Sequence, residues 1–275
     1  MPPPPDGSFA QVLREGVSHF AEQGFSSQDE LDAWLLKLRL AAQRGLISDD
    51  EVRQHIKRHM GALYDRLIER GKIVDMVPGV SRYTLAMVKP QLRAELDRRI
   101  MFSADYIRLR KTEAVEKTLQ RFAGWSTSIP KGGATHVDRR EAVSDIAKTV
   151  RQIRYEWRRV AIDQGHKLVS NVADIVAREA GAIAAIWHSH WRQAGYDYRK
   201  DHKERDGRVY AIRGNWAAEQ GLMKVGAAGY LDDITQPAQE PYCRCYAQYV
   251  SNLRKLPDDM LTEKGRKALE AAQAA

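Results

Sequence analysis

Residues 182–191 read AIAAIWHSHW, and the reading of this stretch decides the fold. In an extended chain Trp187 and Trp191 fall on one face and His188 and His190 on the other, the two-residue period of a strand. Before it, apolar residues recur mainly at helical spacing. After it, glycines at 207, 214, 221, 226 and 229 divide the chain into short segments, of which RVYAIR (208–213) and CRCYAQYV (243–250) read as strands. The spacing therefore predicts an α+β protein, a predominantly helical N-terminal region followed by a small mixed C-terminal domain with short strands.

The helical part is punctuated by capping signals. SFAQVLREGVSHFAEQ (8–23) has apolar residues at helical spacing and is weakened by Gly16. Ser27 with Glu30, and Ser48 with Glu51, have the spacing of a capping box, followed by the stripes Leu31, Trp34, Leu35, Leu38 and Val52, Ile56, Met60, Leu63, Leu67. GKIVDMVPGVS (71–81) reads as a turn with a brief extended piece. Pro90 predicts either two helices or a kink near Val88 within 82–100, with a further helix over 103–122. Asp138 and Glu141 open a long helix that Gly165 separates from a second one ending near Ala180. The organisation expected is a flexible Pro-rich arm at 1–7, a helical domain at 8–123, a linker loop at 124–136, long helices with the mixed domain at 137–261, and a flexible tail at 262–275, which has almost no apolar stripe to dock it.

Forty-four Lys and Arg against thirty-six Asp and Glu give a net charge of +8, a bias toward anionic partners, and 43% hydrophobic residues suffice for a core. No apolar run approaches the roughly 18 residues of a membrane span, and MPPPPDGSF lacks the order of a secretory signal. The expectation is a soluble intracellular product without membrane contact. Cys243 and Cys245, the two cysteines, are too close in sequence for an easy mutual disulfide, which fits a reducing compartment.

Several side chains could carry chemistry. His55 and His59 are one helical turn apart, but the residues between them lack the glutamate of a zinc hydrolase and bring Lys57 and Arg58 instead. His202, Cys243 and Cys245 form a better set: two soft thiolates and an imidazole suit a structural zinc, with His188, His190 and Asp206 as neighbours in sequence, while two small buried cysteines are the alternative. GxSxG, HExxH and a phosphate-binding glycine loop are all missing, so no catalytic residue is assigned. Arg140, Lys148, Arg151, Arg158 and Arg159 make a basic ridge for DNA or an acidic partner, and Arg108, Arg110, Lys111, Lys117 and Arg121 make a second cluster. Asp206 and Gly207 read as a structural turn.

The order of features over 165–250 resembles the phage head morphogenesis family typified by the F protein of phage Mu, the minor head proteins. The residues that carry the resemblance are Asn171 with Ala173, Trp187, Arg199 with His202, Asp206 and Gly207, Gly226, Gly229 and Pro241, and the closing Cys243, Arg244, Cys245. It implies a non-enzymatic minor head protein of a tailed phage, associated with the portal and other capsid proteins during assembly in the host cytoplasm, oligomeric in the particle, and in contact with or ejected with packaged double-stranded DNA. A sequence-independent DNA-binding protein and a zinc-dependent nuclease or hydrolase are the rival expectations.

Overall fold

The computed structural model describes residues 8–46 and 48–274. The Pro-rich arm expected at 1–7 lies outside the described residues. The chain is α+β, as the sequence predicts: among the described residues seven α-helices come first, and a three-stranded antiparallel sheet follows. It divides into two units, each assembled from two separate stretches: residues up to 57 with 101–161, and 58–100 with residues from 162 onward. This division differs from the expected succession of an N-terminal and a C-terminal domain.

In the first unit the Ser8 and Ser27 hydroxyls cap α1 (Phe9–Gln23) and α2 (Gln28–Gly45), accepting from the N–H groups of Gln11 and Glu30, the second where the capping signal places it. Ser48 and Glu51 form a reciprocal box, the Glu51 N–H donating to Ser48 Oγ at 3.2 Å and the Ser48 N–H to Glu51 Oε2 at 2.9 Å, at the start of α3 (Asp49–Tyr64). Leu13, Val17, Phe20, Leu31, Leu38, Leu119 and Phe122 form the core, in which Phe20 and Phe122 meet edge to face at 5.8 Å. Gly16 is a packing requirement here, because a Cβ would stand 2.9 Å from Phe122 Cζ.

Three breaks expected from sequence do not occur. A single helix, α5 (Arg82–Ser128), runs through Pro90 and across both segments expected to be separate, and its last residues occupy 124–128 of the expected linker. Burial overrides the missing proline N–H: Val88, Leu92 and Leu96 flank it at four-residue intervals, each at most 2% exposed. The stretch after Ser128 is pinned to α1, with the N–H groups of Gly132 and Ala134 donating to the carbonyls of Gln23 and Ala21 at 2.9 Å. Gly165 lies inside α7 (Lys148–Glu179) because Leu63 Cδ1 would be 3.0 Å from its Cβ, so it serves contact and does not end the helix. Conversely, the helix that starts after Asp138 stops early: α6 (Arg139–Ile146) and α7 are separated by Ala147. Residues 73–76, expected to be turn or extended, form the short helix α4 (Ile73–Met76), which buries Ile73.

The second unit carries the sheet, in the order β2 (Val209–Ala211), β1 (Ala184–His188), β3 (Tyr246–Val250). Ala184 pairs with Ala211 on one side and Val250 on the other. The tail is not loose over its described part: α10 (Glu263–Ala274) packs Leu269 against the core built on Ile183, Ala211, Met223, Val250 and Met260. Gly265 makes this docking feasible, since a Cβ there would lie 2.0 Å from the Leu222 carbonyl oxygen. A close backbone approach replaces the missing apolar stripe.

Candidate functional site

The side chains expected to form a set in the C-terminal module do come together. His202, Cys243 and Cys245 are 2%, 1% and 3% exposed. Cys243 Sγ is 3.6 Å and Cys245 Sγ 3.5 Å from His202 Nδ1, and all three donor atoms lie within 4.8 Å of one another. No other His, Cys, Asp or Glu group of this kind occurs among the described residues.

Local sequence explains the convergence. His202 sits on the short helix α8 (Lys200–Glu204), whose start is tied to the segment before the cysteines: the Arg199 guanidinium pairs with Glu240 and donates to the Pro241 carbonyl at 3.0 Å. Tyr242 adopts φ of 58°, a left-handed conformation uncommon outside glycine, and its N–H donates to Asp163 Oδ1 of α7 at 2.6 Å. After this reversal the chain presents Cys243 and Cys245 inward and leaves Arg244 exposed. The N–H of Arg244 donates to the Tyr196 hydroxyl at 3.2 Å, which fixes the segment just before β3.

The surroundings of the thiols are polar and partly unsatisfied. Trp187 meets His202 edge to face at 5.3 Å. The Trp187 indole N–H and the Ser189 hydroxyl lie close enough to Cys245 to favour its thiolate, yet neither atom, although buried, makes a hydrogen bond of ordinary geometry. His202 Nε2 is likewise buried without a hydrogen bond, 3.6 Å from Glu240 Oε2. Cys243 is held below the usual thiol range, chiefly because Cys245 donates to its sulfur, and that same contact together with burial pushes Cys245 up. The charge of the pair therefore concentrates on Cys243.

Asp206 and Gly207 form the expected turn. Gly207 is required by its φ of 77°, since nothing lies within 4 Å of a Cβ there. Asp206 reaches out of the turn to the chain beyond β1, accepting from the Ser189 N–H and from Trp191 Nε1, both at 2.8 Å. Its carboxyl is held below the usual range, first by the Ser189 N–H. Replacing Asp206 by alanine removes two hydrogen bonds to a charged acceptor and is expected to cost about 2 kcal/mol in urea unfolding, with altered Trp191 emission.

The remaining candidates stay apart from this corner. His188 stacks on Tyr246 at 4.9 Å and bonds Gln248, and His190 also faces Tyr246, at 5.9 Å. His55 packs edge to face on Trp157 at 4.7 Å. Of the basic ridge, Arg140, Lys148, Arg151 and Arg158 are exposed and Arg159 is half-buried, but the interruption at Ala147 puts Arg140 on a different helix from the others. Arg151 bonds Ser144 Oγ at 3.0 Å and Arg159 lies 3.8 Å from Glu156. Four of the five cations of the second cluster pair with nearby acids, Arg108 with Asp105, Lys111 with Asp49, and Arg110 and Lys117 both with Glu113, while Arg121 donates to the Asp145 backbone carbonyl. Sequence reasoning did not single out Glu240, Asp163, Ser189 or Tyr196. For Glu240 a signal existed, an acid three residues before Cys243; the others act only through long-range contact. Comparison with known protein families, with curated proteins and with solved structures gives no match.

Proposed function

We propose that this chain is a minor structural protein of a tailed-phage head, associated with the portal during capsid assembly, whose C-terminal module acts as an architectural joint. One observation carries the reading. Residues that bear the family resemblance at widely separated positions, Trp187, Arg199, His202, Pro241, Cys243 and Cys245, gather into one corner, with Asp206 holding the chain that leaves β1. Arg199 and Asp206 in this group hold separate chain segments together. The pairing of the second basic cluster with local acids weighs against a protein whose main work is binding DNA through those residues.

Co-expression with a tailed-phage portal protein, followed by affinity purification of the portal, tests the proposal. The chain is expected to co-purify with portal rings and to be found at low copy by mass spectrometry of purified particles. Its absence from both, together with a salt-sensitive shift of duplex DNA by the protein alone, would overturn the reading.

A further inference from the structure

We infer that His202 Nδ1, Cys243 Sγ and Cys245 Sγ bind one zinc ion that closes the C-terminal corner. Tetrahedral zinc with Zn–S near 2.3 Å and Zn–N near 2.0–2.1 Å sets the sulfur to nitrogen separation at about 3.6 Å. The two separations here are 3.6 and 3.5 Å. In a metal-free corner Nδ1 can accept from one thiol or share its own N–H between the two sulfurs, so the three donor groups satisfy one another only in part. Two sulfurs at equal distance from one nitrogen point to a shared centre.

The outer contacts have the character of a metal site as well. A ligating histidine normally donates its second ring N–H to a carboxylate, and His202 Nε2, which makes no hydrogen bond, stands 3.6 Å from Glu240 Oε2 and 3.9 Å from Asp201 Oδ2. Glu240 is in turn held by Arg199. Trp187 Nε1 and Ser189 Oγ are buried donors beside Cys245 that lack an acceptor, and a metal-bound thiolate would supply one. Charge balances: zinc and two thiolates sum to zero, and the thiol protons pass to solvent on binding. No further His, Cys, Asp or Glu among the described residues has a donor atom within reach, so a water molecule takes the fourth position. With ligands from α8 and from the strand entry at Cys245, the ion cross-links segments 41 and 43 residues apart.

The test uses the full chain, purified under reducing conditions and reconstituted with zinc or with cobalt(II) as a spectroscopic probe. Expected are one metal per chain, a thiolate-to-cobalt charge-transfer band, tetrahedral d–d absorption, and an unfolding midpoint that rises with free zinc. His202→Ala, Cys243→Ser and Cys245→Ser should each abolish stoichiometric binding. Should these variants not fold, Glu240→Gln provides a second arm: it leaves the ligands in place, and zinc affinity should fall about 10- to 100-fold with the cobalt spectrum retained. Failure of the folded wild-type chain to take up metal, a cobalt spectrum without the thiolate band, or unchanged affinity in Glu240→Gln would overturn the inference. None of these outcomes depends on whether the chain enters a phage particle.

Discussion

Replacing Gly24 by alanine is expected to destabilise the first unit by roughly 3–5 kcal/mol, the upper range for a single substitution. Gly24 follows α1 with φ of 74° and ψ of −179°, a region of backbone space that is essentially glycine-only. A Cβ there would also stand 1.9 Å from the Pro130 carbonyl oxygen and 2.9 Å from the Gly133 nitrogen, both backbone atoms of the stretch pinned to α1. Neither can move aside as a side chain could. Urea unfolding followed by tryptophan fluorescence should show the loss, and proteolysis should open the 129–138 stretch first. Gly124→Ala is the control of opposite sign: this glycine is helical with nothing within 4 Å of a Cβ, and the substitution should stabilise by up to about 1 kcal/mol.

Loss of Glu95 should be felt as strongly in the second unit. Its carboxylate is 8% exposed and accepts from Arg98 Nε, Arg99 Nε and Asn171 Nδ2, each at 2.8 Å. Glu95→Ala leaves the nearly buried Arg99 guanidinium without its carboxylate, which is expected to cost about 3–5 kcal/mol. Burial alone would raise the Glu95 pKa; the hydrogen bonds from Arg99, Arg98 and Asn171 outweigh it and hold the group below its ordinary value of 4.5. Because the folded value lies below the unfolded one, this stabilisation is fully present above the unfolded pKa and is lost as pH falls through the folded one. The gap between wild type and Glu95→Ala should accordingly be widest near neutral pH and shrink below about pH 4.5. A constant gap down to pH 3 would show that Glu95 acts by shape alone. Asp206 titrates in the same sense and should add to the acid sensitivity of this unit.

Much of this architecture was legible residue by residue, and the failures have a common cause. Helix starts at Ser27, Ser48 and Asp138 could be read because a cap is a local device, complete within three or four residues. Strand positions could be read because alternation is local too. Pro90 and Gly165 misled because each is a breaker only in isolation: at Pro90 buried neighbours hold the helix, and at Gly165 the chain packs closely against Leu63. The tail misled because Gly265 docks by backbone approach, which leaves no hydrophobic signature. At the candidate site the ligand types could be named from sequence, whereas Glu240, Asp163 and Ser189 acquire their roles through contacts that spacing does not encode.

The chain passes from one unit to the other within α3, within α5 and again within α7. Severing the backbone at any one point therefore isolates neither unit by itself. A truncated gene beginning near residue 137 would omit the stretch that carries Val88, Leu92 and Glu95, and its product would expose the surface those side chains cover. During translation the first unit likewise stays unfinished until residues 101–161 have left the ribosome, so the early helices must remain soluble while they wait for their partners.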